Sequence, residues 1–288
     1  MKTSPTESEV LISSDIPQRS LVWSPWMTAF WALVTFFIFG LAQEITTRLV
    51  VSFRGLSTSY DEIVAANVNI VQSETQSAWD QMMETTAERM ELISAFLGSN
   101  DLIWPAALGS AIFGSLVLFI IIRLKKGLSF RDYLHLKNVS AQVWGIWLII
   151  AILFLGLTEW LAAGNESLQT PFMKDVINGT KSMPMLILTV GILAPIFEEL
   201  LFRGFLFKGL ERGLLGGHGT VWLSSIIFAL IHLQYSIPIM LLIIPMALLL
   251  GYSRMYSGSL LVPIVLHVLN NTIAIGFTAY ELHQGAAF

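Results

Sequence analysis

Long apolar segments with few charges most constrain how this chain can fold. The 288 residues are 55% hydrophobic and 12% charged, and their mean hydropathy is +0.69. A soluble domain carries about 25% charged residues, so this composition indicates a protein that lies mostly in lipid. Only helices and closed barrels satisfy their backbone hydrogen bonds inside a bilayer, and the apolar runs lack the alternation of barrel strands. The sequence therefore predicts an all-α, polytopic transmembrane helical bundle.

Hydropathy and length predict seven membrane spans, at residues 25–42, 104–122, 143–163, 184–207, 221–235, 239–252 and 260–280. The segment 123–139, which follows the second span, contains five basic residues and one acid. Such a cluster favours the cytoplasmic side of a membrane. We therefore expect a multi-pass protein of the cell (inner) membrane, with a cytoplasmic N-terminus and an external C-terminus.

The first part of the chain is predicted to hold a tail, two spans and a polar loop. Residues 1–24 are polar and mixed in charge, which is typical of a disordered tail. Residues 25–122 contain the first two spans and, between them, a stretch at 43–103 with nine acidic and three basic residues. Apolar residues recur at helical spacing over 73–97, which predicts an amphipathic extramembrane helix on the bundle or the membrane surface.

Two adjacent acids and an arginine interrupt the fourth apolar span. Ionisable groups at membrane depth are rare, and they usually pair or take part in function. On a helix, Glu199 and Arg203 lie four residues apart on one face, in the better order for an ion pair. Glu198 points about 100° away around the helix. We therefore expect Arg203 to pair with Glu199 and Glu198 to face a cavity.

Two histidines are also predicted within apolar spans, His232 and His267, and Asn271 follows His267 by one helical turn. The helical rise puts Glu198 and His267 roughly 15 Å from the inner end of their spans, and His232 somewhat deeper. Carboxylates and imidazoles can take a proton from water, while imidazoles and carboxamides can donate to a developing oxyanion. The chain has no cysteine, and no serine stands beside a base in a motif, so a bound water is the expected nucleophile. The other histidines, His135, His218 and His283, are predicted in exposed loops.

Three short motifs carry a resemblance to a known family. They are Glu198-Glu199-Leu-Leu-Phe-Arg203, Phe228-x-x-x-His232 and His267-x-x-x-Asn271, in this order and in separate late spans. Together they resemble the motifs of the CAAX protease and bacteriocin-processing family, which includes type II CAAX prenyl endopeptidases and the bacterial abortive-infection group. The resemblance covers about residues 125–275 and makes 123–288 the expected protease domain.

The resemblance implies an intramembrane endopeptidase and a role for each motif residue. Glu198 and His232 would activate the hydrolytic water, and His267 with Asn271 would form the oxyanion hole. Glu199, Arg203 and Phe228 would support the site. This mechanism requires no cofactor. The sequence has no HExxH motif of the kind that binds zinc on a helix, which favours the metal-independent mechanism. A metal-dependent alternative remains, in which Glu198, His232 and His267 bind Zn²⁺ with a water in the fourth position.

Two other functions remain open from the sequence. A proton-coupled transporter could use Glu198 and the histidines as a relay, although no internal repeat is visible. A non-catalytic membrane scaffold of the same fold would not need the three motifs. The expected partners are the lipid bilayer and a membrane-associated protein or peptide substrate, with CAAX-like proteins and bacteriocin peptides as the candidates. Neither a basic tract nor an aromatic-basic pattern indicates nucleic-acid binding.

Overall fold

The computed structural model describes residues 21–66, 92–163 except residue 94, residues 165 and 168, and residues 171–285. These residues form helices and contain no β-strand, which confirms the predicted helical bundle. The helices are α1 (Pro25–Phe53), α2 (Ser57–Ala66), α3 (Ile103–Leu124), α4 (Phe130–Leu134), α5 (Ala141–Ala163), α6 (Pro171–Gly179), α7 (Met183–Leu210), α8 (Gly216–Leu230), α9 (Ile237–Ser257) and α10 (Leu261–Gly285).

Six of the described helices are long and apolar enough to cross a membrane: α1, α3, α5, α7, α9 and α10. The chain is thus a multi-pass membrane protein. Six of the seven predicted spans are thus matched, and the predicted fifth, 221–235, overlaps α8, which begins and ends five residues earlier and has 15 residues. A helix of this length is about 22 Å long, less than the roughly 30 Å hydrocarbon core. Residues 231–236 are non-helical and lead to Pro238 in the first turn of α9.

Helix α7 is the centre of the bundle. Half of its most apolar window is buried inside the protein, whereas only 6% of the corresponding window of α5 is buried. Two segments of α7, Ile187–Leu193 and Leu200–Leu206, are π-helical and flank the α-helical segment Ala194–Glu199. Pro195 cannot donate a backbone hydrogen bond, and a wider turn avoids the clash of its ring with the preceding turn. The predicted acids therefore stand between two widened turns, which sequence periodicity did not reveal.

One end of the bundle, here called the basic end, gathers the predicted cytoplasmic segments. The backbone N–H of Leu260 donates to the carbonyl of His135, and the Ser259 hydroxyl donates to the carbonyl of Lys137. Trp23 donates to the carbonyl of Ile121. The start of α1, the end of α3 and the α9–α10 turn therefore lie on one side, as the predicted order of spans requires.

The other end, here called the distal end, gathers the predicted external segments. Arg54 contacts Asp101, and Asp101 also accepts a hydrogen bond from Thr180. Leu97 is buried with its neighbours in a small apolar cluster, which includes Val51, Tyr60 and Leu102. Most of the amphipathic helix predicted over 73–97 lies outside the described residues, as does nearly all of the predicted tail 1–24.

Candidate functional site

The α-helical segment Ala194–Glu199 holds the two acids in place. Phe197 is 2% exposed, stacks on Phe39 with ring centroids 4.6 Å apart, and lies against Gly114 of α3. A Cβ atom added at Gly114 would lie 2.6 Å from the Phe197 ring, so only glycine allows this approach. With Phe197 fixed on one side of α7, the following residues must turn towards α9 and α10.

The two adjacent acids have different environments. The side chain of Glu199 is 0% exposed, and its Oε1 atom lies 2.9 Å from Arg203 Nη1 and 2.9 Å from His267 Nδ1. The predicted Glu199–Arg203 ion pair is therefore present. The side chain of Glu198 is 19% exposed, and its Oε2 atom lies 3.7 Å from His267 Nε2. Glu198 is thus the more accessible acid, and His267 lies between the two carboxylates.

The histidine–carboxylate contact fixes the orientation of His267. Glu199 Oε1 can only accept, so we assign the hydrogen of this contact to His267 Nδ1. A carboxylate that binds one imidazole nitrogen orients the ring and leaves the other nitrogen available for chemistry. That second nitrogen, Nε2, faces Glu198.

Arg203 is fully buried and connects α7 to its neighbours. Its Nη2 atom donates to the carbonyl of Ala247 in α9, and its guanidinium carbon lies 4.6 Å from the centre of the Phe228 ring. The carbonyl of Arg203 accepts from Arg254 Nε. Because a buried charge needs a partner and hydrogen bonds, these contacts let Arg203 stay charged inside the bundle. They support the predicted role of Arg203 in holding the first motif.

Phe228 connects the two histidines. Its ring centroid lies 4.7 Å from that of His232 and 5.7 Å from that of His267. His232 Nδ1 lies 2.6 Å from the Phe228 carbonyl, which can only accept, so Nδ1 carries the hydrogen and Nε2 is left as an acceptor. This carbonyl belongs to the last turn of α8, where backbone carbonyls need outside partners. His232 therefore lies just beyond α8, whereas the sequence predicted it within a span.

Asn271 lies beside the first π-helical segment of α7. Its Nδ2 atom donates to the carbonyl of Val190 over 3.3 Å, and its Oδ1 atom accepts from Asn270 Nδ2. The amide nitrogen has two hydrogens, so one can still be donated elsewhere. Its four-residue spacing from His267 within α10 agrees with the prediction.

The zinc alternative can be compared with this arrangement. It requires Glu198, His232 and His267 as a three-ligand set. Glu198 and His267 are neighbours, but no hydrogen bond or ion pair joins either of them to His232 among the described contacts. No group of three His, Asp or Glu side chains among the described residues is placed to hold a metal ion. Among the described residues these three side chains are thus not gathered as a metal site, and the zinc alternative stays a prediction.

Sequence reasoning missed two aromatic residues and one amide at the site. Tyr235 stacks on His232 with an interplanar angle of 11°, and Phe172 of α6 meets Tyr235 edge to face. Asn270 supports Asn271. A run of the form His-x-x-Tyr at a helix end gave a weak signal for the first contact. The contribution of α6 could not be found from local sequence, because Phe172 and Tyr235 are 63 positions apart.

The fold and these contacts define the class as a polytopic helical membrane protein with a polar Glu–Arg–His cluster within its spans. Residues 180–273, which contain all three motifs, match a family model described as "Type II CAAX prenyl endopeptidase Rce1-like". This match confirms the resemblance: residues 180–273 are similar to the Rce1-like family of type II CAAX prenyl endopeptidases.

Two relatives extend the comparison. The chain is 31% identical over 156 residues to an "Uncharacterized 24.3 kDa protein" of Escherichia coli, covering 50% of this chain and 66% of that protein. It is 28% identical over 114 residues to "Membrane-embedded CAAX protease MroQ" of Staphylococcus aureus (strain USA300), covering 38% of this chain and 45% of that protein. The chain thus spans less than two thirds of the length of each relative. No solved structure matches the chain.

Proposed function

We propose that this protein is an intramembrane endopeptidase that hydrolyses a peptide bond of a membrane-associated protein or peptide. The observation that carries the proposal is the difference between the two acids. Glu199 is fully buried and bound by Arg203 and His267, whereas Glu198 is 19% exposed beside His267 Nε2. One acid is thus available for chemistry, and the other holds the site together. The family match and the name of the Staphylococcus aureus relative support peptidase chemistry.

In the proposed reaction, Glu198 and His232 activate water. A carboxylate accepts a proton from water as its oxygen attacks the peptide carbonyl carbon, and a positioned base contributes about 10²–10⁴-fold to the rate. His232 presents Nε2 as a second acceptor, because Nδ1 donates to the Phe228 carbonyl. The proton then passes to the nitrogen of the leaving amine as the carbon–nitrogen bond breaks. The products are a carboxylate and an amine, and the chain forms no covalent intermediate.

His267 and Asn271 would stabilise the oxyanion of this reaction. Glu199 accepts a hydrogen bond from His267 Nδ1. Donation from Nε2 to the oxyanion therefore requires a hydrogen on Nε2 as well. A carboxylate lies near each ring nitrogen, Glu199 at 2.9 Å from Nδ1 and Glu198 at 3.7 Å from Nε2. Asn271 would donate the amide hydrogen that Val190 does not use. One donor of this kind contributes about 10²–10³-fold to the rate.

The direct test is hydrolysis by the purified full chain in proteoliposomes. Membrane-anchored reporter peptides, with and without a prenylated CAAX-like end, would be incubated in H₂¹⁸O, and the products would be identified by mass spectrometry. We expect two fragments, with ¹⁸O in the newly formed carboxylate. Intact peptides across the panel, together with uptake of a solute coupled to protons, would favour the transporter alternative instead.

The requirement for zinc is tested in the same assay. The proposed reaction needs no metal, so a strong chelator should leave the rate unchanged. Loss of cleavage on chelation and its recovery with Zn²⁺ would contradict the metal-free proposal while leaving the peptidase assignment in place.

A further inference from the structure

The basic end contains a cavity at the end of α7, where Lys208 lies ten residues, or about 15 Å of helix, beyond Glu198. Its volume is about 190 Å³, the space of roughly six waters. The lining residues come from three separate parts of the chain: Leu21, Val22, Leu128, Asp132, His135, Lys208 and Arg212. They precede α1, follow α3 or lie at the end of α7, so the cavity is where three spans leave the membrane.

The lining divides into an apolar and a cationic part. Leu21, Val22 and Leu128 form the apolar wall, and Lys208 and Arg212 supply the positive charges. Lys208 is only 5% exposed, and its ammonium group pairs with Glu211 over 3.1 Å. A ligand that satisfies both parts has an anionic group joined to hydrocarbon. Trp23, which contacts Lys125 at 5.3 Å, marks the interfacial depth at which lipid phosphates lie.

The electrostatic environment of His135 supports an excess of positive charge. Burial, and after it the charges of Lys208 and Arg254, lowers the pKa of His135 to about 4. Lys137 acts in the same direction, and Glu211 opposes it. Asp132, the acid in the lining, is held by the Ser129 hydroxyl. Two basic residues, Lys208 and Arg212, and one acid, Asp132, thus line the cavity beside His135.

We propose that this cavity binds the phosphate group of an anionic phospholipid from the surrounding membrane. Lys208 and Arg212 would contact the phosphate, and the apolar wall would receive the start of the acyl chains. Basic pockets between the cytoplasmic ends of spans are suited to such headgroups. Inorganic phosphate shares the anionic chemistry but gains nothing from the apolar wall.

The protonation midpoint of His135, which lines the cavity, reports whether an anion is bound there. The full chain, with ¹⁵N-labelled histidine, would be placed in nanodiscs of phosphatidylcholine, with or without phosphatidylglycerol, and His135 would be titrated by NMR. The variant His135→Asn identifies the resonance, since Asn also tolerates the left-handed backbone found here (φ 56°). An anion bound within about 4–6 Å should raise the His135 midpoint by about one to three pH units.

Two controls separate a site from the general charge of the surface. His218 lies at the same end but does not line the cavity, so its resonance reports the shared surface effect. Arg212→Gln should remove most of the His135 shift, whereas Lys126→Gln removes an equal, exposed charge outside the lining and should preserve it.

Four results would overturn the proposal. Equal shifts of His135 and His218 would show a surface potential only, as would an equal effect of the two charge variants. An unchanged His135 midpoint in phosphatidylglycerol would show that the cavity binds no anion. If inorganic phosphate in phosphatidylcholine nanodiscs produced the full shift, the ligand would be free phosphate and the lipid would not be its source.

Discussion

At the scale of single residues, the site depends on one buried carboxylate with two donors. Glu199 Oε1 accepts from both Arg203 and His267, and all three side chains are at most 4% exposed. Helical spacing predicted the ion pair between Glu199 and Arg203, but it did not predict the hydrogen bond from His267 to Glu199. That contact depends on the rotation of α10 against α7, which the spacing of residues 68 positions apart does not determine.

Arg203→Gln should therefore be strongly destabilising. It leaves Glu199 buried without its main counter-charge, and breaking a buried pair costs on the order of 3–5 kcal/mol. The free energy of unfolding, measured by denaturant titration in mixed micelles, should fall by this amount. Adding Glu199→Gln should recover part of the loss, because it removes the unpaired charge. A double variant no more stable than Arg203→Gln would contradict the pairing.

Tyr235 should act as a positioning residue for His232. Its ring is nearly parallel to the imidazole, with centroids 6.3 Å apart, and the Phe228 ring centroid lies 4.7 Å from the imidazole centroid. We expect Tyr235→Leu to weaken the single Nδ1–H tautomer of His232, seen in ¹⁵N spectra, and Tyr235→Phe to preserve it. The pH profile of cleavage should shift in the first variant only. Equal behaviour of the two variants would show that stacking is not what holds the ring.

His135 should make stability depend on pH. Its pKa is lowered to about 4 in the folded protein, mainly by burial, against about 6.5 in an unfolded chain. Between these values the unfolded chain binds more protons, so the free energy of unfolding falls as the pH drops from 6.5 towards 4. We expect His135→Asn to reduce this decline in thermal or denaturant unfolding. An identical pH slope in both proteins would contradict the assignment.

At the scale of elements, the succession of π-helical and α-helical segments in α7 determines where the site residues lie. The apolar run and the acids predicted this helix, but not its two π-helical segments, of which Pro195 accounts for the one that precedes it. Such widened turns are rare and are often found at functional sites. Residues 231–235 were predicted as part of a span, because their apolar members hid the helix end at Leu230.

Gly114→Ala tests whether packing against α3 positions the acids. The new methyl group would lie 2.6 Å from the Phe197 ring, which is buried and stacked on Phe39 and therefore must shift. Overpacking of this kind costs about 1–3 kcal/mol. We expect lower stability together with slower cleavage. Gly145→Ala in α5, where a Cβ atom would meet nothing within 4 Å, is the matched control and should change neither.

At the scale of the whole molecule, the order of loops around the bundle agrees with the predicted topology. Contacts gather residues 21–23, 121–137 and 254–260 at the basic end, and residues 54, 101 and 180 at the distal end. This grouping could be predicted because hydropathy marks the spans and each span reverses the chain. Which end faces the cytoplasm remains a proposal from the basic cluster.

Cysteine labelling tests the orientation. The chain has no native cysteine, so Thr58→Cys at the distal end and Asn138→Cys at the basic end provide single exposed thiols. An impermeant reagent added to intact cells should label the first and not the second. Labelling of Asn138→Cys alone would reverse the orientation, and labelling of both in intact cells would contradict the placement of the two ends on opposite sides.

The central claim is that Glu198 is the base that activates water, and one comparison tests it most directly. The cleavage rate in proteoliposomes would be measured for the wild type, Glu198→Gln and Glu62→Gln, the last being the same change at an exposed position in α2. Gln keeps the size of Glu and removes its basicity, so Glu198→Gln should lose about 10²–10⁴-fold in rate with unchanged unfolding. Glu62→Gln should cleave normally. A Glu198→Gln protein that cleaves at the wild-type rate would contradict the account.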